Sequence, residues 1–144
     1  MHTPILGAAI ALVLWTFVMW LWLYATRLPA IVRGKIVYDP NRPTSEFMDK
    51  IPPSVRWKAD NYNHLHEQPT LFYAVALTLA LLGAGGGINA TLAWVYVAIR
   101  VVHSLVQATV NKVELRFGIF VLGSLVLLIL AIKAALILFA GPSA

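Results

Sequence analysis

The chain has 144 residues, of which 60% are apolar and only 12% charged; it contains no cysteine, and its mean hydropathy is +0.77. A soluble domain usually carries about a quarter of its residues charged, so this composition excludes a disordered chain, a disulfide-stapled secreted domain and an ordinary globular enzyme. It leaves an integral membrane protein of one domain.

The formal charge of +5 does not mark a nucleic-acid partner, because seven of the eleven basic residues (Arg27, Arg33, Lys35, Arg42, Lys50, Arg56, Lys58) share one stretch with five of the six acids. A polyanion would call for a more one-sided basic face. Without a thiol the chain forms no disulfide, thiolate nucleophile or cysteine-based metal site, so any sulfur chemistry belongs to a bound partner.

Taken in chain order, the first apolar run, residues 4–26, has no charge and gathers Trp15, Phe17, Trp20, Trp22 and Tyr24 towards one end, as a membrane helix with an interfacial belt does. A polar link follows over residues 27–63. The second span is expected over residues 64–83. Its apolar core from Pro69 to Gly83 is short of the ~20 residues that cross a bilayer, so it is expected to draw in Glu67 and His64 and to carry Pro69 as a kink. Pro52 and Pro53 announce the helix that leads into it, with Ser54 as candidate N-cap. A glycine-rich turn separates it from the third span, residues 89–111, and a short polar link leads to the fourth, residues 117–140. The fold class expected is thus all-α, an up-down bundle of four transmembrane helices. Lys and Arg concentrate in the first and third links, which places those links in the cytoplasm and both termini on the other side. A bacterial inner membrane is the expected location.

The third span carries a periodic polar stripe. Tyr96, Arg100, His103, Gln107, Asn111 and Glu114 recur every three or four residues and fall on one helical face. Such a file facing lipid would be very costly, so it faces protein or a water-filled cleft. Arg100 lies near mid-membrane and needs a partner, for which Glu67 is the expected carboxylate. Asp60, Asn63, His64 and Glu67 share a face of the second helix, and the two polar faces together describe a pocket opening to the cytoplasm. His64, His66 and Glu67 superficially suggest a metal cluster, but adjacent helical positions diverge, so no metal is expected.

Two segments carry a family resemblance: the run from Asn61 through His64, Glu67 and Pro69 to Tyr73, and the run Arg100-Val101-Val102-His103-Ser104 followed by Asn111-Lys112. The sequence resembles the MAPEG family, the membrane-associated proteins of eicosanoid and glutathione metabolism, in its microsomal glutathione transferase branch. The resemblance implies a homotrimer that takes glutathione as cosubstrate between neighbouring subunits and meets a lipophilic electrophile or peroxide arriving from the membrane. It assigns Glu67 and Arg100 to the family's helix-two glutamate and helix-three arginine. His64 stands where the family has asparagine, Asp60 where it has a basic residue, and Gln107 where some members have a thiol-contacting tyrosine.

The substrate-binding set expected is therefore Arg56, Asn63, His64, Glu67, Arg100, His103, Gln107 and Asn111, with Arg100 and Arg56 as anion anchors; no catalytic group is named. The competing reading is a family member without catalysis that binds membrane lipid or serves as accessory subunit of a larger membrane complex. A small transporter is the weaker third reading, since the stripe mixes charges and shows no gate.

Overall fold

The computed structural model describes residues 3–140, all helix, turn and loop with no strand among them. Helix α1 (Pro4–Arg33) leads through a loop with the short helix α2 (Thr44–Asp49) to α3 (Pro53–His64), α4 (Gln68–Leu81), α5 (Gly87–Thr109) and α6 (Val113–Ala140). Three of these, α1, α5 and α6, are long and apolar enough to cross a membrane. α1 packs on α3, α4 and α5, and α6 closes the bundle against α5 and α4. The core they share runs through Ile5, Leu12, Met19, Phe72, Leu79, Tyr96, Leu127 and Leu130.

Helix α1 starts with proline in its first turn, where the missing N–H would have no helical partner anyway. It continues through Pro29 to Arg33, beyond the expected end at Thr26. Hydropathy marks where the hydrocarbon ends, not where the backbone ladder does. The extension starts at Arg27, whose Nη2 donates to Met48 Sδ at 3.0 Å, and earlier in the helix the Lys58 ammonium lies 5.4 Å over the Trp22 ring. α1 then closes with a paired-bond cap in which Lys35 N–H bonds to the Val32 carbonyl and Ile36 N–H to that of Ile31. Lys35, rather than the adjacent Gly34, takes the left-handed conformation, with φ 49°.

The second span departs from its expected form. Instead of one kinked helix over 64–83, the backbone breaks at Leu65–Glu67, where Glu67 adopts φ −87° and ψ −99°. Pro69 therefore sits in the first turn of α4, where it costs no hydrogen bond, instead of inside a helix where it would. Ser54 does not cap α3 either; Pro52 holds that position and Pro53 opens the helix. The 14 residues of α4 measure only about 21 Å at ~1.5 Å per residue, so the shortage of length expected from sequence is present, and a separate helix, α3, precedes the break.

The turn after α4 carries Gly83 at φ 70° and Gly87 at φ 54° and presents the Gly85 carbonyl to Ile5 N–H at 3.0 Å. That bond ties the start of α1 to the start of α5, so these two helices run parallel while α4 and α6 run the other way. α5 ends at Thr109, and Asn111, expected inside the span, takes the left-handed conformation at φ 52° that asparagine tolerates. α6 begins at Val113, four residues before the expected boundary at 117, so Glu114 and Arg116 belong to its first turn.

Candidate functional site

The polar stripe points inward. Tyr96, Arg100, His103 and Gln107 are all buried on the face of α5 that meets the other helices, whereas Asn111 has left the helix and Glu114 is exposed on α6. Arg100 is 1% exposed. Its Nε donates to the Tyr96 hydroxyl at 3.1 Å, and that hydroxyl donates to Gln68 Oε1 at 3.3 Å. Gln68 Nε2 in turn donates to Ser124 Oγ at 2.7 Å, so one chain of hydrogen bonds joins α5, α4 and α6. Tyr96 is fixed by stacking on Phe72 with ring centroids 4.6 Å apart.

Among the described residues the two terminal nitrogens of Arg100 have no hydrogen-bond partner. The carboxylate expected to meet them does not: Glu67 accepts from His64 Nδ1 at 2.7 Å, and its side chain is 65% exposed. The cause is the break at 65–67, which turns Glu67 outward onto the preceding turn. In place of an anion, the guanidinium has aromatic faces, with Cζ 5.7 Å from the Tyr96 ring centroid and 5.4 Å from that of Phe120. Cation–π contacts of this kind contribute about 0.5–2 kcal/mol each, less than full pairing of a buried charge.

Beyond Phe120 lies a cavity of about 190 Å³ lined by His64, His103, Val113, Arg116, Phe117 and Phe120. The His64 and His103 rings are 5.0 Å apart, and Phe120 is 5.5 Å from His64. His103 Nε2 donates to Gln107 Oε1 at 3.2 Å, leaving Nδ1 without a partner. Arg116 Nη1 donates to Asn111 Oδ1, while its buried Nε is free. The cavity is thus walled by one arginine and two imidazoles, backed by a second arginine, and lined by no carboxylate.

Of the eight residues expected from sequence, His64 and His103 line this cavity, Gln107 and Asn111 hold two of its groups in place, and Arg100 stands behind Phe120. Glu67 reaches it through His64. Arg56 and Asn63 are not part of it: Arg56 pairs with Asp49 at 3.1 Å two helical turns from His64, and Asn63 is exposed. Sequence reasoning missed Arg116, Phe120 and the buried Asn61, whose side-chain amide has no partner. Only Asn61 left a trace, since it falls one turn before Leu65, on the buried face of α3.

A model of the MAPEG family matches residues 5–136. The chain belongs to the MAPEG family. No curated protein and no solved structure matches it. The family match covers α5, nearly all of α1 and α6, and every residue lining the cavity, and it makes this an integral membrane protein of the MAPEG type. Outside the spans, burial against α1 lowers the Lys58 ammonium below its ordinary pKa.

Proposed function

We propose that this MAPEG protein is a glutathione-dependent transferase or peroxidase acting on lipophilic substrates, with the cavity between α3, α5 and α6 as the seat of the tripeptide's anionic groups. The observation that carries the reading is the unpaired guanidinium of Arg100 behind a cavity walled by Arg116, His64 and His103. A buried cation without a counter-ion is destabilising, and such groups in membrane segments mark functional sites.

In this reading Arg116 and the imidazoles receive a carboxylate or the thiolate, and positive potential there favours the ionised thiol. The exposed Glu67 is available to the ligand's ammonium group. In conjugation the thiolate sulfur bonds to the electrophilic carbon, the leaving group departs with the electron pair, and the thiol proton goes to water. In the peroxidase case two glutathiones are oxidised to the disulfide while a hydroperoxide is reduced to alcohol and water.

A homotrimer fits the same site, because Val113 and Phe117 on the cavity rim are both 67% exposed and apolar, a surface suited to a neighbouring copy. Glutathione conjugation to a small aromatic halide, measured on the purified protein in detergent, tests the reading. Turnover above the uncatalysed rate that falls at least tenfold in Arg116→Ala is the expected result; no turnover would remove the enzymatic reading.

A second reading, a non-catalytic member that binds lipid, is favoured by a groove of about 180 Å³ whose apolar walls are Val13, Phe17, Leu65 and Tyr73, with Thr16, Tyr62, His66 and Thr70 at its polar positions, separate from the cationic cavity. A lipid instead of a thiol recovered with the purified protein would select it.

A further inference from the structure

A cavity of about 770 Å³ lies outside the proposed glutathione site. It lies where α1 ends, lined by Arg33, Lys35 and Lys50 with Ile36 and Val37, and no carboxylate faces it. Among the described residues none of these three cations makes an ion pair. The acids closest in sequence are engaged elsewhere: Arg42 holds Asp39 at 3.5 Å and Glu46 at 3.4 Å, and Arg56 holds Asp49 at 3.1 Å. Asp39 and Glu46 line a small adjoining pocket with Lys50 and Val37 but are held there by Arg42, so the recess itself is walled by three cations and no carboxylate.

We propose that this recess binds the phosphate headgroup of an anionic phospholipid in the leaflet at that end of the bundle. Depth is the first argument. Arg27 is the first charge of α1 and marks the edge of the hydrocarbon. Arg33 follows it at about 9 Å along the axis, just outside a headgroup layer about 5–8 Å thick, and its long side chain reaches back into that layer. Exposed apolar side chains provide the second. Val32 and Val37 are 75% and 78% exposed beside the cations, the pairing of a charged headgroup with its glycerol and upper acyl carbons.

Backbone conformation is the third. Lys35 is held at φ 49° although Gly34 beside it would take that conformation without strain. The cap places a lysine at the recess where the easier sequence would place none. A free phosphate ion shares the headgroup's chemistry but would gain nothing from Val32 and Val37, and the lipid is therefore the occupant.

Native mass spectrometry of the full-length protein in detergent, titrated with phosphatidylglycerol or phosphatidylcholine, tests this. Phosphatidylglycerol should be retained in preference, and Arg33→Ala and Lys50→Ala should each weaken it roughly fivefold, leaving phosphatidylcholine unchanged. Lys35→Arg should keep the binding. Lys112→Ala removes an exposed cation at the same end of the bundle outside the recess and should have no comparable effect. Equal retention of the two lipids, an equal loss in Lys112→Ala, or complete displacement of phosphatidylglycerol by millimolar inorganic phosphate would each overturn the proposal.

Discussion

Replacing Arg100 by methionine removes a charge that stands over the Phe120 ring, one wall of the cavity. The guanidinium carbon is 5.4 Å from the centre of Phe120. An anion resting on the opposite face of that ring adds a further ~3.5 Å, giving a separation of about 9 Å. At an effective dielectric of ~20, unit charges at that distance attract by about 1.8 kcal/mol, equivalent to roughly a twentyfold change in dissociation constant. Methionine keeps a similar length without charge. Since two guanidinium nitrogens are unpaired, the fold should lose little or gain slightly. Calorimetric titration of glutathione into detergent-solubilised wild type, Arg100→Met and Arg100→Lys, with thermal unfolding of each, makes the comparison. Arg100→Lys should retain most of the affinity. An Arg100→Met affinity within about threefold of wild type would refute the electrostatic reasoning. A steep fall in its unfolding midpoint without ligand would refute the claim that the charge is uncompensated.

Glu67→Gln should change stability by less than ~1 kcal/mol, because its carboxylate forms an exposed pair with His64; severe destabilisation on thermal unfolding would restore it as a buried partner. Gly85→Ala should cost about 1–3 kcal/mol, since a Cβ there would stand 2.6 Å from Ile5 Cγ2 and also press on Thr3, and an unchanged unfolding midpoint would contradict that close approach. Lys58 has a folded pKa below its ordinary value through burial, so the unfolded chain binds more protons between the two values and stability rises with pH across that window. This contribution is complete above the ordinary lysine value and is lost as pH falls through the lowered one. Lys58→Met should flatten the rise in stability seen by chemical unfolding at alkaline pH, and an identical profile in the variant would place the proton elsewhere.

The helical architecture and the inward face of α5 were legible because they rest on periodicity and on the expense of polar groups in hydrocarbon, both properties of sequence alone. Arg100 and His103 were found that way. The Arg100–Glu67 pair was not a safe inference, because it assumed an unbroken helix through Pro69. The choice between a kinked helix and two helices turns on three backbone conformations at Leu65, His66 and Glu67, which hydropathy does not record. Arg116 and Phe120 escaped notice for another reason. After its first turn α6 carries only Ser124 and Lys133 as polar side chains, too few to distinguish the face that meets His64 from the one that meets lipid, and Arg116 read as part of the polar link before it. Likewise the balanced charge of the link hid its basic recess, since which acids neutralise which bases is decided by the fold of α2 and α3.

The interruption between α3 and α4 has a mechanical consequence. A continuous helix transmits any rotation along its whole length, so a substitution in the polar link would reorient every side chain below it. Three non-helical residues act as a coupling that does not pass torque. α3 is held by its own packing on α1 and α5, so the orientation of Phe72 and the packing of Tyr96 are set by α4 and α5 and not by twist passed down from α3.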